Sequence, residues 1–273
     1  MSKIKLAVVD DSSFVRKAVK RIMEGEDRID IVGMAASGEE LLDNLDRWAP
    51  DVITLDLSMP GIGGLLTLDQ IMARKPTPVI ILSTHSSKDA PLTIESLHRG
   101  AVDFIDKQQY SLVDFDALRT VLIEKIIQVR NSSLTGPSSH AADTSASSDS
   151  DSFRTFDNGS PDAVLIGAST GGPPALQRLL EYIEDSLPVP IAVVQHMPEG
   201  FTRAFAERLN AHLSMPVLEA RNGELFLPGA VYIAPAGNHL TLKQKNGSVF
   251  MSVSPYPDNM PHRPSVDVLF NSA

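Results

Sequence analysis

The feature that most constrains this chain is a rhythm: short apolar, β-branched runs alternate with stretches whose apolar side chains return at helical spacing. Between Ile4 and about Arg130 the runs are Lys5 to Val9, Asp30 to Gly33, Val52 to Leu55, Val79 to Leu82 and Val102 to Ile105. Between them, Phe14, Val15, Ala18, Val19 and Ile22, and then Leu41, Leu42, Leu45 and Trp48, recur every three or four residues, so each set can cover one face of a sheet. Strands separated by helices pair in parallel, which predicts an α/β unit of five parallel strands and five helices.

The rhythm stops at Asn131. From there to Ser160 the chain is Ser, Thr, Asp, Ala and Gly with scattered Pro, and has too few large apolar residues to offset the entropy of ordering. Residues 131–160 therefore read as a flexible linker, with one domain over 1–130 and another over 161–273. In the second, Ala163 to Ile166 and Ile191 to Val194 read as buried strands, and Ala175 to Ile183 and Phe201 to Leu213 as helices, a doubly wound α/β pattern. Val231 to Ser254 breaks it with alternating segments around Asn246-Gly247, a dipeptide suited to a tight turn, so an antiparallel hairpin is expected there. A chain of 273 residues, 42% hydrophobic, can bury two such cores.

A formal net charge of -10 argues against nucleic acid as the main partner, because phosphate binding needs clustered Lys and Arg. The absence of cysteine excludes disulfides and thiolate metal sites. Met1-Ser2-Lys3-Ile4-Lys5 enters a strand without a signal-peptide core, and the apolar runs fall far short of the roughly 20 residues that cross a bilayer. A cytoplasmic protein without membrane insertion is expected.

In a parallel α/β sheet, functional groups gather at the carboxyl ends of the strands. Asp10 and Asp11 end the first predicted strand and Asp56 the third. Alone, the pair reads as helix capping near Ser12. Together the three carboxylates suit a hard divalent cation such as Mg²⁺, with Asp56 as a nucleophile toward phosphorus. Ser83 ends the fourth strand and Lys107 follows the fifth, where a hydroxyl and an ammonium can contact a phosphoryl group.

This set, with Leu55-Asp56-Leu57-Ser58-Met59-Pro60-Gly61, resembles the response-regulator receiver family over about the first 130 residues. The resemblance implies a flavodoxin-like sheet, phosphorylation of Asp56 with Mg²⁺ held by Asp10, Asp11 and Asp56, and switch roles for Ser83, Lys107 and Phe104. Receivers usually place a proline after the lysine; Gln108 stands there instead, which leaves the orientation of Lys107 without that fixed turn.

In the second domain, Val164-Leu165-Ile166-Gly167-Ala168-Ser169-Thr170-Gly171-Gly172 reads as a buried strand, a small-residue turn and a helix beginning near Pro173. A dinucleotide site would need glycine where Ser169 stands. A nucleophile elbow needs a serine there, and a bare helix cap would also accept one. Val194-Gln195-His196-Met197-Pro198 decides between them by ending the neighbouring strand with a base beside the serine. His212, His239 and His262 read as structural.

These motifs, with Gly200 to Leu209, Tyr232-Ile233-Ala234-Pro235 and His262-Arg263-Pro264-Ser265-Val266-Asp267, resemble the catalytic domain of chemotaxis receptor methylesterases from about Ala163 to Ala273. The resemblance implies hydrolysis of glutamyl methyl esters on chemoreceptors and deamidation of receptor glutamines, with Ser169 as nucleophile, His196 as base and Thr170 in the active-site motif. It further implies a chemotaxis histidine kinase as phosphodonor and no cofactor for the esterase. In that family a catalytic Asp follows in a later glycine-rich segment, which is absent up to Ala273. Two expectations follow. Val266 to Ala273 should be a helix without a polar C-cap, its domain incomplete, and Asp267 should act on the helix N-terminus rather than as a substitute acid. The alternative is a catalytically impaired chain acting as a phosphorylatable binding module.

Overall fold

The computed structural model describes residues 2–83, 90–107, 115–131, 161–183 and 188–273. Of the predicted linker 131–160, Asn131 instead ends the last helix of the first unit, and residues 132–160, like Gln108, lie outside the described residues. The first unit runs β1 (Ile4–Val9), α1 (Ser13–Met23), β2 (Ile29–Ala35), α2 (Gly38–Trp48), β3 (Val52–Asp56), α3 (Gly63–Arg74), β4 (Val79–Ser83), α4 (Ala90–His98), β5 (Asp103–Asp106) and α5 (Phe115–Asn131). Its five strands are parallel in the order β2-β1-β3-β4-β5. Helices cover both faces, which is why β3, β4 and β5 are buried along their whole length and are mostly apolar rather than alternating, with Thr54 buried inside β3 and Asp103 and Asp106 at the ends of β5. Parallel pairing also brings Asp10, Asp56, Ser83 and Lys107 to one edge of the sheet.

Gly64 marks how tightly that edge is built. A Cβ there would lie 2.4 Å from the Asp56 carbonyl oxygen, so α3 can start against the Asp56 backbone only with glycine.

The second unit contains β6 (Val164–Ala168), α6 (Gly172–Ile183), β7 (Ile191–Gln195), α7 (Phe201–Asn210), β8 (Val217–Glu219) and β9 (Val231–Ile233), with the parallel order β6-β7-β9-β8. A hairpin of β10 (His239–Lys245) and β11 (Ser248–Ser254) follows, turning at Asn246 and Gly247, whose φ values of 52° and 77° bear out the reading of that dipeptide. The excursion is narrower than expected: Val231 to Ile233 belongs to the parallel sheet, and only His239 onward is antiparallel. Helix α7 stops at Asn210, whose side chain accepts from the Val217 N–H (2.9 Å) instead of extending the helix to Leu213.

The chain ends in α8 (Val266–Phe270), capped at its start by Ser265, which accepts from Val268 N. The expectation of an unclosed helix fails here. Asn271 is the C-cap, and Ser272 donates to the Leu269 carbonyl while accepting from Leu242 N. Asp267 sits exposed in the first turn of α8, where a carboxylate suits the helix dipole. Strand β6 forms one edge of its sheet and is only partly buried, in contrast to the fully buried β7.

The two units meet through α4, which packs on α6 and α7. Ile94 and Leu97 face Pro173, Phe205 and Leu209 around a small gap. At the rim, Arg208 pairs with Glu95 at 2.8 Å, and His98 hydrogen-bonds Gln177. Phe104 of β5 stacks on Phe201, with ring centroids 4.6 Å apart.

Candidate active site and phosphorylation site

The acidic pocket assembles as its strand ends require. Ligand oxygens of Asp10, Asp11 and Asp56 all lie within 4.8 Å of one another. Lys107 reaches over them, its Nζ 2.6 Å from Asp10 Oδ2 and 3.2 Å from Asp56 Oδ2. Its backbone N–H donates to the Ser83 carbonyl at 2.7 Å, so β-ladder geometry orients the lysine without help from a following proline. Asp10 is fully buried, and desolvation pushes its carboxyl above the usual range while Lys107 pulls the other way. The capping alternative for the aspartates falls to Ser12, whose Oγ accepts from Val15 N; Asp10 Oδ1 accepts from Ser12 N. Ser83 is buried and accepts a hydrogen bond from Thr93 at 2.8 Å. Three convergent carboxylates with a single ammonium among them fit a hard divalent cation.

In the second unit, β6 and β7 are adjacent, and His196 N donates to the Ala168 carbonyl, so the two strand ends hold their loops in register. The chain turns after β6 through Gly171, at φ 72°, and Gly172 N donates back to the Ser169 carbonyl at 2.8 Å. Gln195, buried at the end of β7, donates through Nε2 to the carbonyls of both Ser169 and His196. Gly172 is required by this amide: a Cβ would fall 1.9 Å from Gln195 Oε1. Within the frame so made, Ser169 Oγ lies 3.2 Å from His196 Nδ1, the distance at which a hydroxyl donates to a neutral imidazole.

Burial, and then the charges of His262 and Lys125, hold His196 below its ordinary pKa, which keeps it a proton acceptor into mildly acidic solution. With Nδ1 accepting, the proton sits on Nε2, and that atom is buried without a partner among the described residues. A serine triad places its acid at the second imidazole nitrogen. Among the described residues no carboxylate reaches that nitrogen.

The pair opens into a cavity of about 320 Å³ whose other wall comes from β5 and α5 of the first unit. Asp103 is ion-paired with Lys125, and it also accepts a hydrogen bond from Thr170 in the turn after β6. Asp10, Asp11, Asp56 and Lys107 thus meet in one cluster, which Ser83 joins through its backbone carbonyl, while Ser169, Thr170, His196 and Phe104 line the other cavity. Three participants were not foreseen. His262 stacks on His196 with ring centroids 4.4 Å apart, Arg263 lines the same cavity, and Gln195 bridges the two loops. His239 keeps its structural role in a specific form, with Nδ1 accepting from Ser265 N and Nε2 donating to the Pro257 carbonyl, which anchors the segment carrying His262 and Arg263.

Fold and geometry thus set a serine–histidine pair, the arrangement that serine-type hydrolases use, against a five-stranded parallel α/β unit that carries a carboxylate-and-lysine pocket. Family models match in the same order, the response regulator receiver domain over residues 6–119 and CheB methylesterase over residues 164–273. A relative from Halalkalibacterium halodurans is 40% identical over 275 residues, covering 99% of this chain and 77% of the relative. Another, from Methanococcus maripaludis, is 36% identical, covering 98% and 77%. Both bear the name protein-glutamate methylesterase/protein-glutamine glutaminase. The crystal structure of the Thermotoga maritima CheB methylesterase catalytic domain is 44% identical over 42% of this chain and 60% of its own, with a TM-score of 0.40. The chain belongs to the protein-glutamate methylesterase/protein-glutamine glutaminase family.

Proposed function

We propose that this chain is a phosphorylation-controlled hydrolase of bacterial chemotaxis, removing methyl groups from glutamyl esters of chemoreceptors and deamidating receptor glutamines. The observation that carries the reading is the Ser169 Oγ to His196 Nδ1 contact of 3.2 Å, set in a cavity walled by the receiver. His196 takes the Ser169 proton as Oγ attacks the ester carbonyl, then returns it to the departing methoxide, which leaves as methanol. Water, deprotonated by the same imidazole, cleaves the acyl-serine and frees the glutamate; with a glutamine the leaving group is ammonia. The start of α6, directly behind the turn, favours the negative charge that develops on the carbonyl oxygen.

The receiver side carries the control. Asp56 accepts a phosphoryl group from a histidine kinase, and Asp10, Asp11 and Asp56 are the residues that would hold Mg²⁺. When bound, the ion neutralises charge on the phosphoryl group. Lys107 then exchanges its Asp56 contact for a phosphoryl oxygen, and Ser83 turns toward the same group. Phe104, one strand away, stacks directly on Phe201, so a switch at β4 and β5 is felt at the contact between the units. Phosphorylation shifts a two-state equilibrium from a covered to an open Ser169. The domains are residues 1–130 and 161–273 joined by the linker 131–160, and the protein acts in the cytoplasm; among the described residues no helix is long and apolar enough to cross a membrane.

Methanol release from methyl-esterified receptor membranes, with a phosphodonor and Mg²⁺, tests the reading. Stimulated release that Ser169→Ala abolishes is expected. Equal release by the variant would sink it.

A further inference from the structure

Arg263 stands apart from the other arginines whose contacts are described. Arg99 pairs with Asp69 and Glu95, Arg208 with Glu95, and Arg203 with Glu207. Arg263 is half-buried, yet among the described residues its guanidinium meets no carboxylate and no other hydrogen-bond acceptor. It lines the Ser169 cavity and also a second, open cleft of about 330 Å³ shared with Met197, Glu199, Met260 and His262. Among the described residues none of the receiver lines the second cleft.

The backbone that presents this side chain is fixed on both sides. Gly237 N donates to the Arg263 carbonyl at 3.2 Å, and Ser265 N donates to the buried His239 at 3.1 Å. Glu199 lines the cleft too, but its carboxylate lies against Gly237, where a Cβ would be 2.4 Å from Oε1, and makes no ion pair with Arg263 among the described residues. Lys125, the cation across the cavity, is already taken by Asp103.

We propose that Arg263 is the specificity-determining residue of the esterase cleft, binding a carboxylate of the substrate polypeptide that flanks the scissile glutamyl ester. The proposal rests on the hydrolase reading above. A half-buried arginine whose backbone is held on both sides is best matched by a planar carboxylate, which its guanidinium can grip through two parallel N–H donors. The scissile group cannot provide that anion before reaction, since a methyl ester and a carboxamide are both neutral. A neighbouring acidic side chain can, and Arg263 is placed for it, at the junction of the reacting cavity with a cleft that leads away from Ser169.

The test uses the full chain carrying Ser169→Ala, opened with beryllofluoride and Mg²⁺, and two fluorescent peptides that contain a glutamyl methyl ester. They differ only in the flanking residue, Glu in one and Gln in the other. Anisotropy should show the Glu peptide binding about tenfold more tightly, the worth of one charge-assisted contact. Arg263→Gln should erase the preference and Arg263→Lys should retain part of it, with unchanged melting temperatures. A preference that survives Arg263→Gln, or that vanishes equally in Arg263→Lys, overturns the proposal. Labelling of Ser169 by a fluorophosphonate in the chain with its native serine reports the hydrolase reading separately, because it needs no peptide and no Arg263 contact.

Discussion

Replacing Phe104 by alanine should uncover the nucleophile without phosphorylation. Phe104 is 5% exposed and Phe201 is fully buried, and their rings meet at 4.6 Å with an interplanar angle of 34°. Part of the Phe104 surface is covered by its own sheet, so only the share against Phe201 counts toward docking. An aromatic pair contributes about 0.5–1.5 kcal/mol beyond area burial, and the void left behind brings the loss to about 1–2 kcal/mol. That is a shift of roughly 5- to 30-fold between covered and open states. The assay is the rate of Ser169 labelling by a fluorophosphonate in the unphosphorylated chain, with receiver folding followed by thermal melting. Glu95→Gln provides the scale: the Arg208 and Glu95 side chains are 30% and 24% exposed, so solvent screening holds their pair below about 1 kcal/mol, and labelling should rise by no more than about fivefold. An unchanged rate in a folded Phe104→Ala chain, or a larger effect from Glu95→Gln, would refute the assignment of Phe104 as the main latch.

Two further outcomes concern charge. Lys107→Ala leaves the buried Asp10 facing Asp56 with no counter-charge, which should cost about 3–5 kcal/mol; added Mg²⁺ should recover most of the lost melting temperature, whereas equal loss with and without the ion would contradict the pocket's assignment. The His196 imidazole is held below its ordinary pKa chiefly by burial, with Lys125 of the receiver adding to the effect. As a base it works only when neutral, so Ser169 labelling should persist below pH 6.5 in the intact chain. Removing the receiver raises that pKa toward its ordinary value and moves the acid limb to higher pH, read from the pH profile of labelling by the two forms.

Most of this arrangement was legible from the sequence, for reasons that also explain what was not. Val79 to Leu82 and Ile191 to Val194 announce buried parallel strands because a sheet covered on both faces favours continuous apolar runs. Once the strands are placed, Asp10, Asp56, Ser83 and Lys107 fall on one edge, and Ser169 meets His196 because β6 and β7 are neighbours. His262 and Arg263 lie in a motif that carries the family resemblance, but their place beside His196 was not legible, since they come from a loop held by contacts of His239 with Ser265 and Pro257 that no local spacing encodes. Strand β8, three residues long, is too short for any periodicity. The closure of α8 is not legible because Asn271 and Ser272 act through hydrogen bonds to the helix end and to β10, partners that the local sequence does not reveal. The meeting of α4 with α6 and α7 had no sequence signature either, since an apolar interface reads like any helix face.

The central claim is that the Ser169 and His196 pair lies behind the receiver and is released when Asp56 is phosphorylated. Its most direct test is the rate of Ser169 labelling before and after a small-molecule phosphodonor with Mg²⁺, in the chain and in Asp56→Asn. The account predicts a phosphodonor-dependent rise in the chain and none in Asp56→Asn. Equal labelling in all four conditions, in folded protein, would contradict it.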